Sequence, residues 1–231
     1  VSQASAPVLR AAGVSAGYKG HAFVHDLDFE VAPGEVVALF GPNGAGKTTT
    51  MLTLAGELAP LSGEVHFAGG PTRAPLHRRA AEGLSFVTEE RSVFMKLTVA
   101  ENLRVGRCDE ARALEHFPEL DPLLGRQAGK LSGGEQQMLT LARALTRDTK
   151  VLLIDELSLG LAPLIVERLL EAVRGAARSG IGVVLVEQHV EQALRHADRA
   201  YVMRRGRIIL SGSCEEVSGR IRDLEESYLA A

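Results

Sequence analysis

Tryptophan is absent from this chain, and aromatic residues of any kind make up only 4% of it. A platform for stacking bases needs more than that, so nucleic acid is not an expected partner. An excess of one charge is missing too. Twenty-six basic against 29 acidic residues leave a formal net charge of -3, with no broad field to draw in nucleic acid or an anionic membrane. Cysteine occurs twice, at Cys108 and Cys214, far apart and without metal-ligand spacing; buried inert thiols in a reducing compartment are the expectation. No charge-free stretch approaches the ~18 apolar residues of a membrane span. The opening "VSQASAPVLRAAG" lacks the apolar core of a signal peptide, so a soluble cytoplasmic protein is expected. What remains is 231 residues at 45% apolar composition, enough for one substantial core with a smaller lobe attached.

Short apolar runs alternate with helix-length segments. "EVVALF" (35–40), "KVLLIDE" (150–156) and "IGVVLVE" (181–187) are continuous rather than alternating, as fully buried strands are. Their rhythm with the intervening helical patterns predicts an α/β fold with a mostly parallel sheet covered on both faces. The first thirty residues, with their glycines and looser alternation, predict short antiparallel strands at one edge. "SGEVHFAGG" (62–70) and "AYVMRRGRIILSG" (200–212) read as pieces of the same kind, the second a hairpin around Arg205-Gly206. The charged segment from His77 to Lys130 has no strong strand and predicts a helical lobe.

"GPNGAGKTTT" fills every position of a phosphate-cradling loop: Gly41, Gly46, Lys47 and Thr48 match G-x-x-x-x-G-K-[ST], between a strand and a helical run. Glycines let backbone N–H groups approach phosphate oxygens, and the helix start adds its partial positive charge. Lys47 is expected at the β and γ phosphates and the Thr48 hydroxyl on Mg2+, with Pro42, Asn43, Gly44, Ala45 and Thr49 completing the cradle. The plainer reading is a glycine-rich strand-to-helix turn. "VLLIDE" supplies the carboxylates: Asp155, ending a buried strand, suits the Mg2+ shell, and Glu156, one residue further, suits an attacking water. Taken alone, "DE" is also an ordinary strand end.

"LSGGEQQMLTLARAL" (131–145) reads as a capped amphipathic helix. Ser132 and Glu135 form a capping box, and Met138, Leu141, Ala142 and Leu145 share a face. That leaves Gly133 and Gly134 unaccounted for, because helix formers there would be better by about 1 kcal/mol each. Glycines at a helix start expose N–H groups to an anion. Two such starts in one chain suggest a two-chain sandwich, with a nucleotide between one chain's phosphate loop and the other's Leu131–Glu135 segment.

Together, "GPNGAGKTT", "LSGGE", "VLLIDE" and "ADRAYVMRRGRIILSG" resemble, in order and along essentially the whole chain, the nucleotide-binding subunits of ATP-binding-cassette transporters. "LSGGEQQML" and "SLGLAP" are most similar to the ATPases of importers for branched-chain and related amino acids. The resemblance implies a P-loop, RecA-like core (1–75 and 139–231) with an antiparallel β subdomain and a helical lobe (76–138). It implies ATP hydrolysis with Mg2+ in a dimer with itself or a similar subunit, peripheral on the inner face of the membrane. Two membrane-spanning permease subunits, and indirectly a solute-binding protein, would be its partners. It makes Tyr18 the aromatic that stacks on adenine, a core aromatic near a turn being the alternative. It also makes Phe94, Met95 and Leu97 either a docking patch or ordinary lobe core.

The chain departs from the family pattern at several positions. Glu89 stands where a γ-phosphate-sensing Gln is usual; it can still ligate Mg2+ or its water. Leu157 replaces a usual Pro after Glu156, removing the φ restraint a proline ring imposes. Ala162 replaces a common Asp. Counting back from Ala197-Asp198, the usual γ-phosphate histidine position holds Gln188, with His189 one residue later. Gln188 is expected to meet the γ-phosphate region, with His189 capping the following helix or reaching in after a backbone shift. A non-transport cassette ATPase and a weakly hydrolysing regulatory one are the competing readings.

Overall fold

The computed structural model describes residues 6–90, 92–187 and 190–220. The chain runs through β1 (Leu9–Tyr18), β2 (His21–Val31), β3 (Val36–Phe40), α1 (Lys47–Ala55), β4 (Ser62–Phe67), β5 (Gly70–Pro71), α2 (Leu76–Ala81) and β6 (Leu84–Val87). It continues through α3 (Val99–Val105), α4 (Glu110–His116), two 3-10 turns (Pro118–Leu123 and Ala128–Lys130) and α5 (Gly133–Leu145). It closes with β7 (Val151–Asp155), α6 (Pro163–Arg178), β8 (Gly182–Val186), α7 (Val190–His196), β9 (Arg199–Arg204) and β10 (Arg207–Ser213).

Two sheets result. One has four strands in the order β2-β1-β4-β5 and is antiparallel. The other has six in the order β10-β9-β3-β8-β7-β6, parallel except for β10. All five residues of β3, β7 and β8 are buried, as continuous apolar runs in a doubly covered sheet must be. Alternation assigns them to two cores. Val36, Ala38, Phe40, Leu152, Ile154, Val183 and Leu185 pack with α5, α6 and the helical segment. Val37, Leu39, Val151, Leu153, Val184 and Val186 pack against α1 and the antiparallel sheet. The phosphate loop, Asp155 and Glu187 therefore all emerge from C-terminal ends of adjacent parallel strands, where an open α/β sheet offers its crevice. No helix among the described residues is long and apolar enough to cross a membrane.

Three expectations need correction. The first antiparallel strands are long, ten and eleven residues. The 200–212 hairpin does not join them; β9 pairs in parallel with β3, and β10 hangs on β9. The lobe expected over 76–138 contains β6, which pairs in parallel with β7 at the edge of the six-stranded sheet, and its boundary at 138 cuts α5. The helical layer proper follows β6. Its α5 is buried nearly all round, with Gln136, Gln137, Leu139 and Thr140 enclosed as well as the expected face.

Candidate functional site

Residues 41–46 turn from β3 into α1 through two glycines that no side chain could replace cheaply. At Gly41 (φ +155°) a Cβ would lie 2.3 Å from the Met203 carbonyl oxygen. At Gly46 (φ +110°) it would meet Val24 and Met203 at 3.1 and 3.2 Å. The loop is pressed against β2 and β9, leaving Pro42, Asn43 and Gly44 at the surface and Ala45 buried. α1 starts at Lys47 with no side-chain cap and no acidic residue in its first turn. Its first N–H groups thus lack the partners helix starts usually recruit, which suits an anion. The Lys47 ammonium donates to the Gly41 and Pro42 carbonyls at 2.8 and 3.2 Å, folded across the loop it would otherwise extend from. Thr49 is buried in the helix, and its carbonyl accepts the Thr53 hydroxyl at 2.7 Å.

Asp155 ends β7, 6% exposed. Burial is the main cause that pushes its carboxyl above the usual range. A hydrogen bond from Thr48 and the Lys47 charge oppose the rise, while Glu156 and Glu89 add to it. Its Oδ1 is buried without a hydrogen-bond partner. A hard carboxylate oxygen with a free lone pair, beside the exposed Thr48 hydroxyl, fits an oxygen-preferring cation such as Mg2+. Glu156 follows, half-buried, with φ +54° and its N–H on the Val186 carbonyl at 3.0 Å. Glu89 is exposed. Gln188 and His189 lie outside the described residues.

Tyr18 is not a core aromatic. It is 46% exposed and meets Phe23, itself 56% exposed, edge to face at 6.0 Å between ring centres. The Phe23 carbonyl lies 3.4 Å from where a Cβ on Gly46 would sit, so this aromatic corner stands beside the start of α1.

The second helix start is built apart from the first. The Ser132 N–H donates to Glu135 Oε2 at 2.6 Å and the Glu135 N–H to Ser132 Oγ at 3.3 Å, completing the capping box. That box caps the third N–H of α5, leaving those of Gly133 and Gly134 as the uncapped helix-start donors. Leu131 is buried beneath them. Gly134 has a packing reason as well: a Cβ there would come within 2.9 Å of Ile165 on α6. Phe94 and Met95 are exposed and Leu97 half-buried; Arg143 stacks over Phe94 at 5.3 Å.

Sequence pattern alone assigns no role to the carboxylate that ends the 181–187 run. Glu187, directly after β8, is 3% exposed and accepts both the N–H and the hydroxyl of Ser158. The signal available was a carboxylate continuing an all-apolar buried strand.

A family model described as ABC transporter matches residues 24–158. The high-affinity branched-chain amino acid transport ATP-binding protein BraG of Pseudomonas aeruginosa is 41% identical over 212 residues, covering 87% of this chain and 91% of the relative. The lipopolysaccharide export system ATP-binding protein LptB of Escherichia coli K12 is 32% identical over 224 residues, covering 90% and 92%. Among solved structures, the ADP conformation of an ATP-binding cassette of an ABC transporter superposes with a TM-score of 0.87 at 25% identity, over 98% of this chain and 100% of the other.

Proposed function

This chain belongs to the ABC transporter family as an ATP-hydrolysing nucleotide-binding subunit, and from that premise we propose that it energises import of branched-chain or related amino acids through two separate permease subunits. The likeness to BraG over most of both chains supports the cargo class; the export relative LptB is less similar. The solute itself would pass through the permeases and never touch this chain.

In this reading the Gly41–Thr49 loop and the α1 N-terminus hold the phosphates of ATP, Lys47 leaves its loop carbonyls for the β and γ oxygens, and Tyr18 stacks on the base. Thr48 and Asp155, with Glu89 nearby, would hold Mg2+, which neutralises phosphate charge when bound. Glu156 orients a water and takes its proton as the water oxygen bonds to the γ-phosphorus. The bond from that phosphorus to the β–γ bridging oxygen breaks, and ADP leaves with the electron pair. Gln188 is proposed at the γ-phosphate edge, and Leu131–Glu135 at the nucleotide of a partner subunit. The observation that carries this reading is the buried Asp155 with its unpartnered oxygen, flanked by Thr48 and Glu156.

The helical segment after β6 is proposed as the permease-facing part, placing the chain on the inner face of the membrane. Phe94, under Arg143, stands beside a groove of about 330 Å3 lined by Ser85, Phe86, Arg143 and Arg147, among others, with no carboxylate among the described residues of its wall. Burial first, and the Arg147 charge after it, hold the Arg143 guanidinium below its usual range, and its Nε is buried without a partner. Such a groove suits a permease segment that brings an apolar face and an acidic side chain.

One experiment tests the proposal. The tagged chain is purified from gently solubilised native membranes, its co-purifying proteins are identified, and phosphate release is measured. Two multi-span proteins are expected, lost on R143E/R147E substitution, and Glu156→Gln is expected to lower turnover by roughly 10²–10⁴. Soluble partners alone would overturn the transport role, and near-normal hydrolysis by E156Q would overturn the role of Glu156.

A further inference from the structure

The strands that carry the carboxylates stop pairing just where the chemistry begins. β7 and β8 run in parallel, and their register ends with Asp155 opposite Val186. One more backbone bond follows, from the Glu156 N–H to the Val186 carbonyl at 3.0 Å. Glu156 takes the left-handed conformation, φ +54°, which side-chain-bearing residues hold only when their surroundings impose it. Those surroundings include the next residue of β8's exit. The Glu187 carboxylate accepts the Ser158 N–H at 3.2 Å through one oxygen and the Ser158 hydroxyl at 2.5 Å through the other. Both residues are buried, 3% and 7% exposed, so neither bond is shared with bulk water. Leu157 between them is sealed into the core at 1%.

The turn after β7 is thus fastened at residues 156 and 158 to the consecutive residues 186 and 187. The first bond is a backbone rung; in the second, a side chain continues the ladder where the backbone no longer can. A buried carboxylate is retained only where its hydrogen bonds are met, and here meeting them fixes the turn. A proline at 157 would restrain the same turn through its ring. With Leu157 in that place, the restraint is supplied from the neighbouring strand.

We propose that Glu187 is a positioning residue for ATP hydrolysis: acting through Ser158, it holds the turn that presents Glu156 to the attacking water. This rests on the reading of Glu156 as the residue that acts on that water. Because Glu187 bonds to Ser158 of the turn, its loss is felt in the rate of the chemical step rather than in ATP binding.

The test compares Ser158→Ala, Glu187→Ala, Glu187→Gln and the double variant S158A/E187A, with Glu156→Gln as control. Steady-state kcat and KM for ATP are measured separately, and a thermal melt establishes folding. Ser158→Ala is expected to lower kcat about tenfold with KM within about twofold, since small misplacement of a catalytic group is costly. Glu187→Gln still offers a carbonyl oxygen to the N–H and an amide to the hydroxyl oxygen, and recovers most of the rate lost in Glu187→Ala. The double variant is no slower than the slower single one, as for two halves of one contact. Ser158→Ala carries the test should Glu187→Ala not fold. Wild-type kcat in folded S158A, equal losses in the Gln and Ala variants at 187, or additive losses would each overturn the proposal. If E156Q hydrolyses normally, the underlying reading falls; if E156Q is slow and S158A is not, only the positioning role falls.

Discussion

An exposed tyrosine edge-on to an exposed phenylalanine, beside the start of the helix that follows the glycine-rich loop, leaves two large rings in contact with water. A planar base laid on Tyr18 would cover that area, and stacking of this kind contributes about 1–3 kcal/mol per base. Tyr18→Ala is accordingly expected to raise KM for ATP about 5- to 150-fold with kcat at saturation little changed, while Tyr18→Phe stays near wild type. Steady-state kinetics decide it, and an unchanged KM in Tyr18→Ala would remove Tyr18 from the base site. Residues whose role follows from spacing along the chain, such as Lys47, Thr48, Asp155 and Glu156, are legible as a motif. Phe23 and Glu187 are not. Phe23 reads as one more alternating residue of a strand, and Glu187 as the polar end of an apolar one. Each is set by a neighbour in space, Phe23 meeting Tyr18 and Glu187 meeting Ser158, 29 positions away.

The elements are held in place by a few charged clamps, of which Asp198 joins three. Its carboxylate takes the Arg174 guanidinium of α6 at 2.5 and 2.7 Å and the Val36 N–H at the start of β3 at 2.9 Å, just before β9 begins. Burial by itself would raise its pKa; Arg174 and the Val36 N–H outweigh that and hold it below the usual carboxylate range. A folded-state pKa lowered in this way stabilises the fold fully above the unfolded value, about 3.9. The contribution fades as pH falls through the folded value. Asp198→Asn is expected to cost about 1 kcal/mol at pH 7, a modest figure because 37% of the carboxylate side chain is exposed. The gap between the variant and wild-type urea midpoints should narrow below about pH 4; a gap independent of pH would mean the charge is not what matters. Strand order was less legible than strand existence. β3, β7 and β8 announce themselves as apolar runs, whereas "LSFV" is four residues, half-exposed at its centre, and lies among charges that read as helix. Its place beside β7 is set by pairing across the sheet, which local pattern does not encode.

At the scale of the molecule, the two glycine-marked helix starts face different surroundings; that of α1 has no side-chain cap, and the capping box of α5 leaves its first two N–H groups open. The start of α1 is built against β2 and β9, that of α5 against Ile165 of α6. A nucleotide seated on one would leave the other unused in a single chain, so a second copy, turned so that each supplies what its partner lacks, uses both. The loop between β7 and α6 and the first turn of α6 leave apolar surface for such a partner to cover, with Leu159 49% and Leu164 81% exposed. ATP should therefore act as the adhesive, and a variant that binds but cannot hydrolyse it should stay closed. Glu156→Gln is expected to scatter light as one chain of 24.7 kDa without nucleotide and as two with saturating ATP and Mg2+. Adding Ser132→Arg, which fills the α5 start with a bulky cation, should abolish the dimer while leaving ATP binding to the monomer within a few-fold. A monomer at saturating ATP in Glu156→Gln would mean that one chain completes its own site; a dimer indifferent to Ser132→Arg would place the joint elsewhere.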